Sequence, residues 1–159
     1  MDTTFQTEQG TFNYRVCAIL ISEGRLLVMR DEGAPYEYLP GGRVNLHETA
    51  EDALVREMRE ELGIDAKIVR PLWLNQSFFI ESVSGERYHE LCLFFLADAQ
   101  KTDLARRGER FTRVEGKRTH AFAWIPFEEL EGRTLYPAFI KSEIFHLPRT
   151  LTLRAEKEY

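Results

Sequence analysis

The sequence predicts an α/β fold, a mixed β-sheet with helices layered on it as an α/β/α sandwich, and three observations carry that expectation. Short β-rich apolar runs interleave with two or three helical segments along the 159 residues. One run, Leu91-Cys92-Leu93-Phe94-Phe95-Leu96, is apolar on both faces, as a central strand covered from both sides must be. Apolar residues make up 43% of the chain and aromatics 12%, enough side-chain surface for a sizeable core and too much for a disordered chain. At this length a single domain over residues 1–159 is expected.

Residues 14–21 and 26–30 are β-rich and apolar, and Ser22-Glu23-Gly24-Arg25 between them makes a hairpin. Residues 31–42 hold Gly33, Pro35, Pro40, Gly41 and Gly42, which predicts a loop ending in a flexible Gly-Gly step. A helix is expected over residues 49–62: Thr49 has N-cap chemistry, Asp52 is spaced to return the hydrogen bond, and Gly63 supplies the stop. Its Leu54, Met58 and Leu62 recur at i, i+4 and i+8, with Val55 beside them, as the inward stripe of an amphipathic helix. Residues 67–74 and 88–97 read as strands, with 77–80 a partner before the turn at Ser84-Gly85. Residues 101–118 carry seven bases and three acids around Gly108 and Gly116, and read as a mobile basic connection. A strand over 119–125, a short helical segment from Pro126 to Glu131 and a C-terminal helix over 138–146 complete the series.

Lys plus Arg number 21 and Asp plus Glu 26, so the net charge of −5 argues against a protein built to hold a nucleic-acid backbone. No stretch approaches the ~18 apolar residues of a membrane helix, and the first residues have neither a basic nor an apolar leader region. The cytoplasm is the expected compartment, with no membrane partner. Cys17 and Cys92 sit in apolar runs without metal-ligand spacing and are expected as buried free thiols. Six acids against two bases between Glu48 and Glu61 concentrate negative charge in one short segment.

With Leu54 placed at 0° on a helical wheel, Glu60, Glu57 and Glu61 fall at about 240°, 300° and 340°, apart from Met58, Leu62 and Val55 at about 40°, 80° and 100°. Like charges at i,i+4 repel, so a simply solvated acidic face is one explanation of this fan and a bound divalent cation is the other. Hard carboxylate oxygens suit Mg²⁺ or Mn²⁺. Ala50 and Ala53 leave space on the same side for Leu39-Pro40-Gly41-Gly42, whose carbonyls can then approach a cation. Arg56 borders the fan and is placed to pair with Glu48 or Glu60.

Gly42, five residues, Glu48, seven residues and then Arg56-Glu57-Met58-Arg59-Glu60-Glu61-Leu62-Gly63-Ile64 resemble the Nudix box, GX5EX7REUXEEXGU with U a bulky aliphatic residue. Every fixed position is filled, with Met58 at the first U a mild departure. Leu39-Pro40-Gly41-Gly42 before the box, and Trp124-Ile125-Pro126 with Glu128-Glu129-Leu130 after it, resemble common flanks of that family.

The resemblance implies a Nudix-type sandwich and metal-dependent hydrolysis of a diphosphate linkage in a small nucleotide or nucleoside diphosphate derivative, with Mg²⁺ or Mn²⁺ as cofactor. By position, Glu57, Glu60 and Glu61 match the family's metal-binding carboxylates, and Gly41 a glycine whose carbonyl joins them. Arg56 matches the arginine that holds a glutamate in place, and Glu57 or Glu60 is the candidate general base. A further acid often precedes the strand into the Trp-x-Pro segment, but Thr119-His120-Ala121-Phe122-Ala123 holds no carboxylate, which leaves Glu90 or Glu115 to serve. Arg30, Arg43, Tyr38 and Glu90 are the candidate substrate contacts, the arginines for phosphate and the tyrosine for stacking, with Tyr36, Phe78 and Phe79 as further aromatics. The Pro or Tyr that marks some subfamilies past the box is absent from Ser77-Phe78-Phe79-Ile80-Glu81. A nucleotide-sensing module without turnover and action on the 5′ end of RNA are the alternatives; all box carboxylates are kept against the first, and the acidic charge opposes the second. Exposed edge strands offer a route to a homodimer.

Overall fold

A computed structural model describes residues 1–159 and arranges them around a mixed nine-stranded sheet. The elements are β1 (Thr4–Thr7), β2 (Gly10–Ser22), β3 (Arg25–Asp31), β4 (Gly41–Arg43), α1 (Ala50–Leu62), β5 (Lys67–Ile80), β6 (Arg87–Asp98), β7 (Arg110–Glu115), β8 (Arg118–Pro126), α2 (Ile140–Glu143) and β9 (Thr152–Lys157). Strand order is β7-β8-β3-β2-β6-β5-β9, with β1 and β4 also paired to β2. The β2–β6 and β5–β9 pairs are parallel and the others antiparallel. No helix is long and apolar enough to cross a membrane.

Side-chain alternation along the strands builds a core on each face of the sheet. Val16, Ala18, Leu20, Met29, Phe95 and Phe122 pack against Leu54, Met58 and Leu62 of α1. Cys17, Ile19, Val28, Trp73 and Phe94 point the other way, onto Leu130, Phe139, Ile140 and Ile144 of the C-terminal segment. That is the sandwich expected from the sequence, with a long helix on one face and short helical turns on the other.

The sheet is nearly split between β2 and β3, which pair only at Ile21–Leu26 and Ser22–Arg25. Residues 38–43 fill the gap as a wedge. Tyr38 exchanges both backbone hydrogen bonds with Met29 at 2.8 and 2.9 Å, Ala18 N donates to Pro40 O at 2.8 Å, and β4 pairs with Arg15–Cys17. A Cβ on Gly41 would overlap the Val16 carbonyl oxygen, so only glycine lets the wedge lie this close to β2.

Several expectations need correction. Residues 101–118 are no mobile connection: they form a 3₁₀ turn at Leu104–Arg107 and strand β7, with Arg107 Nη1 donating to Leu62 O at 2.7 Å. Charge masked a period-two strand whose burial alternates residue by residue. Residues 67–74 and 77–80 join in one long strand, which accommodates Pro71 through register shifts on either side of it. Only Ile140–Glu143 of the expected C-terminal helix is α-helical, while Gly41 and Gly42, expected to end a loop, lie in the short strand Gly41–Arg43. Strands β1 and β9 had no counterpart in the sequence reading. Both cysteines are free and buried, their Sγ atoms 3.6 Å apart.

Candidate functional site

Helix α1 starts where Thr49 Oγ1 accepts from Asp52 N at 3.1 Å and stops at Gly63, whose left-handed φ of 64° lets its N–H turn back onto the last turn. The expected return bond from the Asp52 carboxylate is not made; that side chain is exposed. The buried stripe also lies differently from the expected one. It takes in Ala50, Ala53 and Glu61, while Val55 is half-buried, so the carboxylate fan overlaps the packed face instead of standing clear of it.

That rotation brings the helix acids to the glycine wedge. Glu61, 6% exposed, accepts a hydrogen bond from Gly41 N through Oε1 at 2.7 Å. Glu57 lies against Gly42, where a Cβ would overlap its carboxylate. Glu60 stays exposed at the rim. Arg56 ties these parts together: Nε and Nη2 reach the two Glu48 oxygens at 2.8 and 3.0 Å, and Nη1 reaches Glu57 Oε1 at 2.8 Å and Glu60 Oε2 at 3.4 Å. Its Nη2 also donates to Arg43 O at 3.0 Å, which pins the wedge to the helix. Of the two partners expected for Arg56, both are used, and Glu57 is added.

Burial pushes the Glu61 carboxyl up to about 9, with the charges of Glu57 and Glu115 adding to the effect and the Gly41 N–H opposing it. Burial also raises Glu57, against the pull of Arg56. Three acids therefore converge where water cannot disperse their charge, and a cation among them offsets that cost. The donor chemistry fits a divalent ion: oxygen ligands on two helical turns, a cradle kept open by Gly42, and a Glu115 Oε2 that is buried without any hydrogen-bond partner.

Glu115 arrives from the β7–β8 hairpin, and it is this acid, rather than Glu90, that gathers with Glu61. One ligand atom from each of Glu61, Glu115 and His120 lies within 4.8 Å of the others. His120, which the sequence reading passed over because it sought a carboxylate, is 3% exposed. Its Nδ1–H donates to Asp31 Oδ1 at 2.5 Å, and Asp31 Oδ1 also accepts from Tyr38 OH at 2.6 Å. Its Nε2 stands 3.5 Å from Glu115 Oε2. The register explains the grouping, since Asp31 and His120 are direct cross-strand partners on the α1 face of the sheet.

The remaining candidates are dispersed. The Tyr38 hydroxyl is committed to Asp31, and Arg43 pairs with Asp2 at 3.4 Å. Arg30 lies on the face of β3 opposite Asp31, in a groove of about 390 Å³ shared with Glu37, Arg110 and Arg133. Glu90 faces the C-terminal side of the sheet, 3.4 Å from Asn13 Nδ2. Near it is Arg15, another residue the sequence reading missed. Burial works against its charge, but the nearby carboxylates of Glu90, above all, and Glu61 favour it. A lone arginine inside the apolar run of β2 was the available signal.

Glutamates of one helix facing glycine backbone, on a mixed sheet, agree with what the box residues imply. The family model described as NUDIX domain matches residues 11–145, and the chain belongs to this family. A putative mutator protein MutT4 from Mycobacterium tuberculosis (strain CDC 1551 / Oshkosh) is 30% identical over 98 residues, covering 62% of this chain and 36% of that protein. The chain thus spans about a third of the length of that curated relative. Among solved structures, the MutT NUDIX hydrolase from Burkholderia pseudomallei superposes with a TM-score of 0.57 at 28% identity, over 82% of this chain and 95% of that one. The mutator MutT protein from Bacillus halodurans shares the fold with a TM-score of 0.63 at 17% identity, over 92% and 91% of the two chains.

Proposed function

We propose that the chain is a metal-dependent pyrophosphohydrolase that splits the diphosphate linkage of a small nucleotide or nucleoside diphosphate derivative. The observation that carries this reading is the convergence of Glu57 and Glu61 on the Gly41-Gly42 wedge, with Arg56 holding Glu57 in place. Membership in a family of generally metal-dependent hydrolases supports it. Glu57, Glu60 and Glu61, with the Gly41 carbonyl, would hold Mg²⁺ or Mn²⁺. When bound, such an ion supplies Lewis acidity: it neutralises diphosphate oxygens and makes water acidic enough to be a nucleophile near neutral pH.

The chain's own groups do the rest. Arg56 keeps Glu57 and Glu48 oriented, so the acids are placed before substrate arrives. Glu60, whose single side-chain bond is the 3.4 Å contact to Arg56, has a freer carboxylate than Glu57 and would take the proton of the attacking water. Attack on phosphorus breaks one P–O bond of the anhydride and leaves two phosphate-bearing products.

The test is phosphate release, coupled to a phosphatase, across a panel of nucleotide substrates with Mg²⁺ or Mn²⁺ and with EDTA. Turnover of at least one substrate that stops in EDTA, and falls by at least about 100-fold in both Glu57→Gln and Glu61→Gln, is expected. Full activity in EDTA or in the double variant would overturn the proposal, and nucleotide binding without product would favour a sensor.

A further inference from the structure

We propose that His120, Glu115 and Glu61 form a metal site with a nitrogen donor, which selects a first-row transition ion such as Mn²⁺ over Mg²⁺. This rests on the reading of the site above: Glu61 is common to both ligand sets, so His120 and Glu115 would join the helix carboxylates from the sheet side and decide which ion that site takes. The carboxylate of Asp31 can only accept, so the proton of the neutral imidazole sits on Nδ1 and Nε2 presents its lone pair. That lone pair makes no hydrogen bond and points into the group formed with Glu61 and with Glu115 Oε2, itself buried and unpartnered. Two lone-pair donors face to face at 3.5 Å repel unless a proton or a metal cation lies between them.

The spacing suits a shared ion. Donors about 2.1 Å from one metal stand about 3.0 Å apart at right angles and about 4.2 Å apart when opposed. The 3.5 Å between His120 and Glu115 falls inside that range, and the 4.8 Å limit for the whole group asks for a contraction of well under one ångström. Behind the ring, Tyr38 OH and Asp31 form the hydrogen-bonded backing that orients a ligating histidine and fixes its tautomer. Imidazole suits Fe²⁺, Ni²⁺, Cu²⁺ and Zn²⁺ best; Mn²⁺ gains least of the first-row ions from a nitrogen donor but accepts one beside carboxylates, whereas Mg²⁺ favours oxygen ligands throughout.

Pulsed electron paramagnetic resonance of the Mn²⁺-loaded full chain tests this directly. The expected spectrum shows modulation from a directly bound nitrogen, which changes when the four histidines are labelled with ¹⁵N and disappears in His120→Gln. By titration calorimetry, Mn²⁺ should bind at least about tenfold tighter than Mg²⁺, and Asp31→Asn should weaken Mn²⁺ by about tenfold or more. If Mn²⁺ binds, is lost in Glu57→Gln, and shows no histidine nitrogen in the labelled native chain, this inference fails while the proposed hydrolase stands. If neither ion binds with or without nucleotide, both fail. Nitrogen modulation that persists in folded His120→Gln assigns the ligand elsewhere and also overturns the inference.

Discussion

Gly41 and Gly42 are neighbours with different obligations. A methyl group at Gly41 meets main chain, the Val16 carbonyl, which cannot yield without opening the sheet, so Gly41→Ala should lower thermal stability sharply. At Gly42 the methyl meets only the Glu57 carboxylate. Gly42→Ala should therefore fold with nearly native circular dichroism and melting temperature, yet lose Mn²⁺ affinity and turnover. Glu48 gives a pH signature. Its bonds from Arg56 hold it below the usual carboxylate range, so its contribution is complete above the unfolded value, about 4.3, and fades as pH falls through the lower folded value. Glu48→Gln should cost about 1 kcal/mol in urea unfolding at pH 7, after allowance for solvent screening, and almost nothing once the carboxyl is protonated. The pairing of Arg56 with Glu48 and the approach of the glycines to the helix acids were legible in the sequence, because the helical wheel sets where each α1 side chain points and missing side chains let backbone come close. His120 and Arg15 were not, since each acquires its meaning from a strand distant in sequence: Asp31 pairs with His120 across a ladder, and Arg15 feels the charge of Glu90 from the neighbouring parallel strand.

At the scale of elements, α1 carries both the packing and the acids, so its own stability sets the precision of the site. Met58 is fully buried under the box, and Met58→Ala should cost about 2–5 kcal/mol in denaturant unfolding by opening a cavity beneath Glu57 and Glu61. Helix α1 was readable because cap, stripe and stop agree over thirteen residues. Strand β7 was not, because Arg110, Arg113 and Glu115 look like a solvated charge run until β8 supplies the ladder that pairs them. Glu115 was open as a further acid from the sequence, but only the β7–β8 hairpin shows how it reaches the helix.

Across the whole molecule, the wedge is held from outside the box as well. Glu37, 5% exposed, accepts from Arg133 Nε and Nη2 at 2.7 and 2.9 Å, and its backbone bonds Thr134 and Tyr136. This links the loop ahead of the wedge to the segment that covers the second core. Arg133→Ala should leave a buried carboxylate unpaired and cost about 3 kcal/mol or more in thermal unfolding, while the paired change Glu37→Gln with Arg133→Gln should cost clearly less than the two single effects summed. Nothing in the local sequence joins residue 37 to residue 133, which is why that brace was invisible before the fold was known. The wedge itself is anchored at Tyr38 by Met29 and at residues 41–43 by β2, whereas residues 32–36 make an outlying turn. Insertions should follow that division. Extra residues grafted between 32 and 36 would lengthen a surface excursion, but one extra residue between 39 and 41 would swap which carbonyls face inward and turn the seat for the helix glutamates away from them.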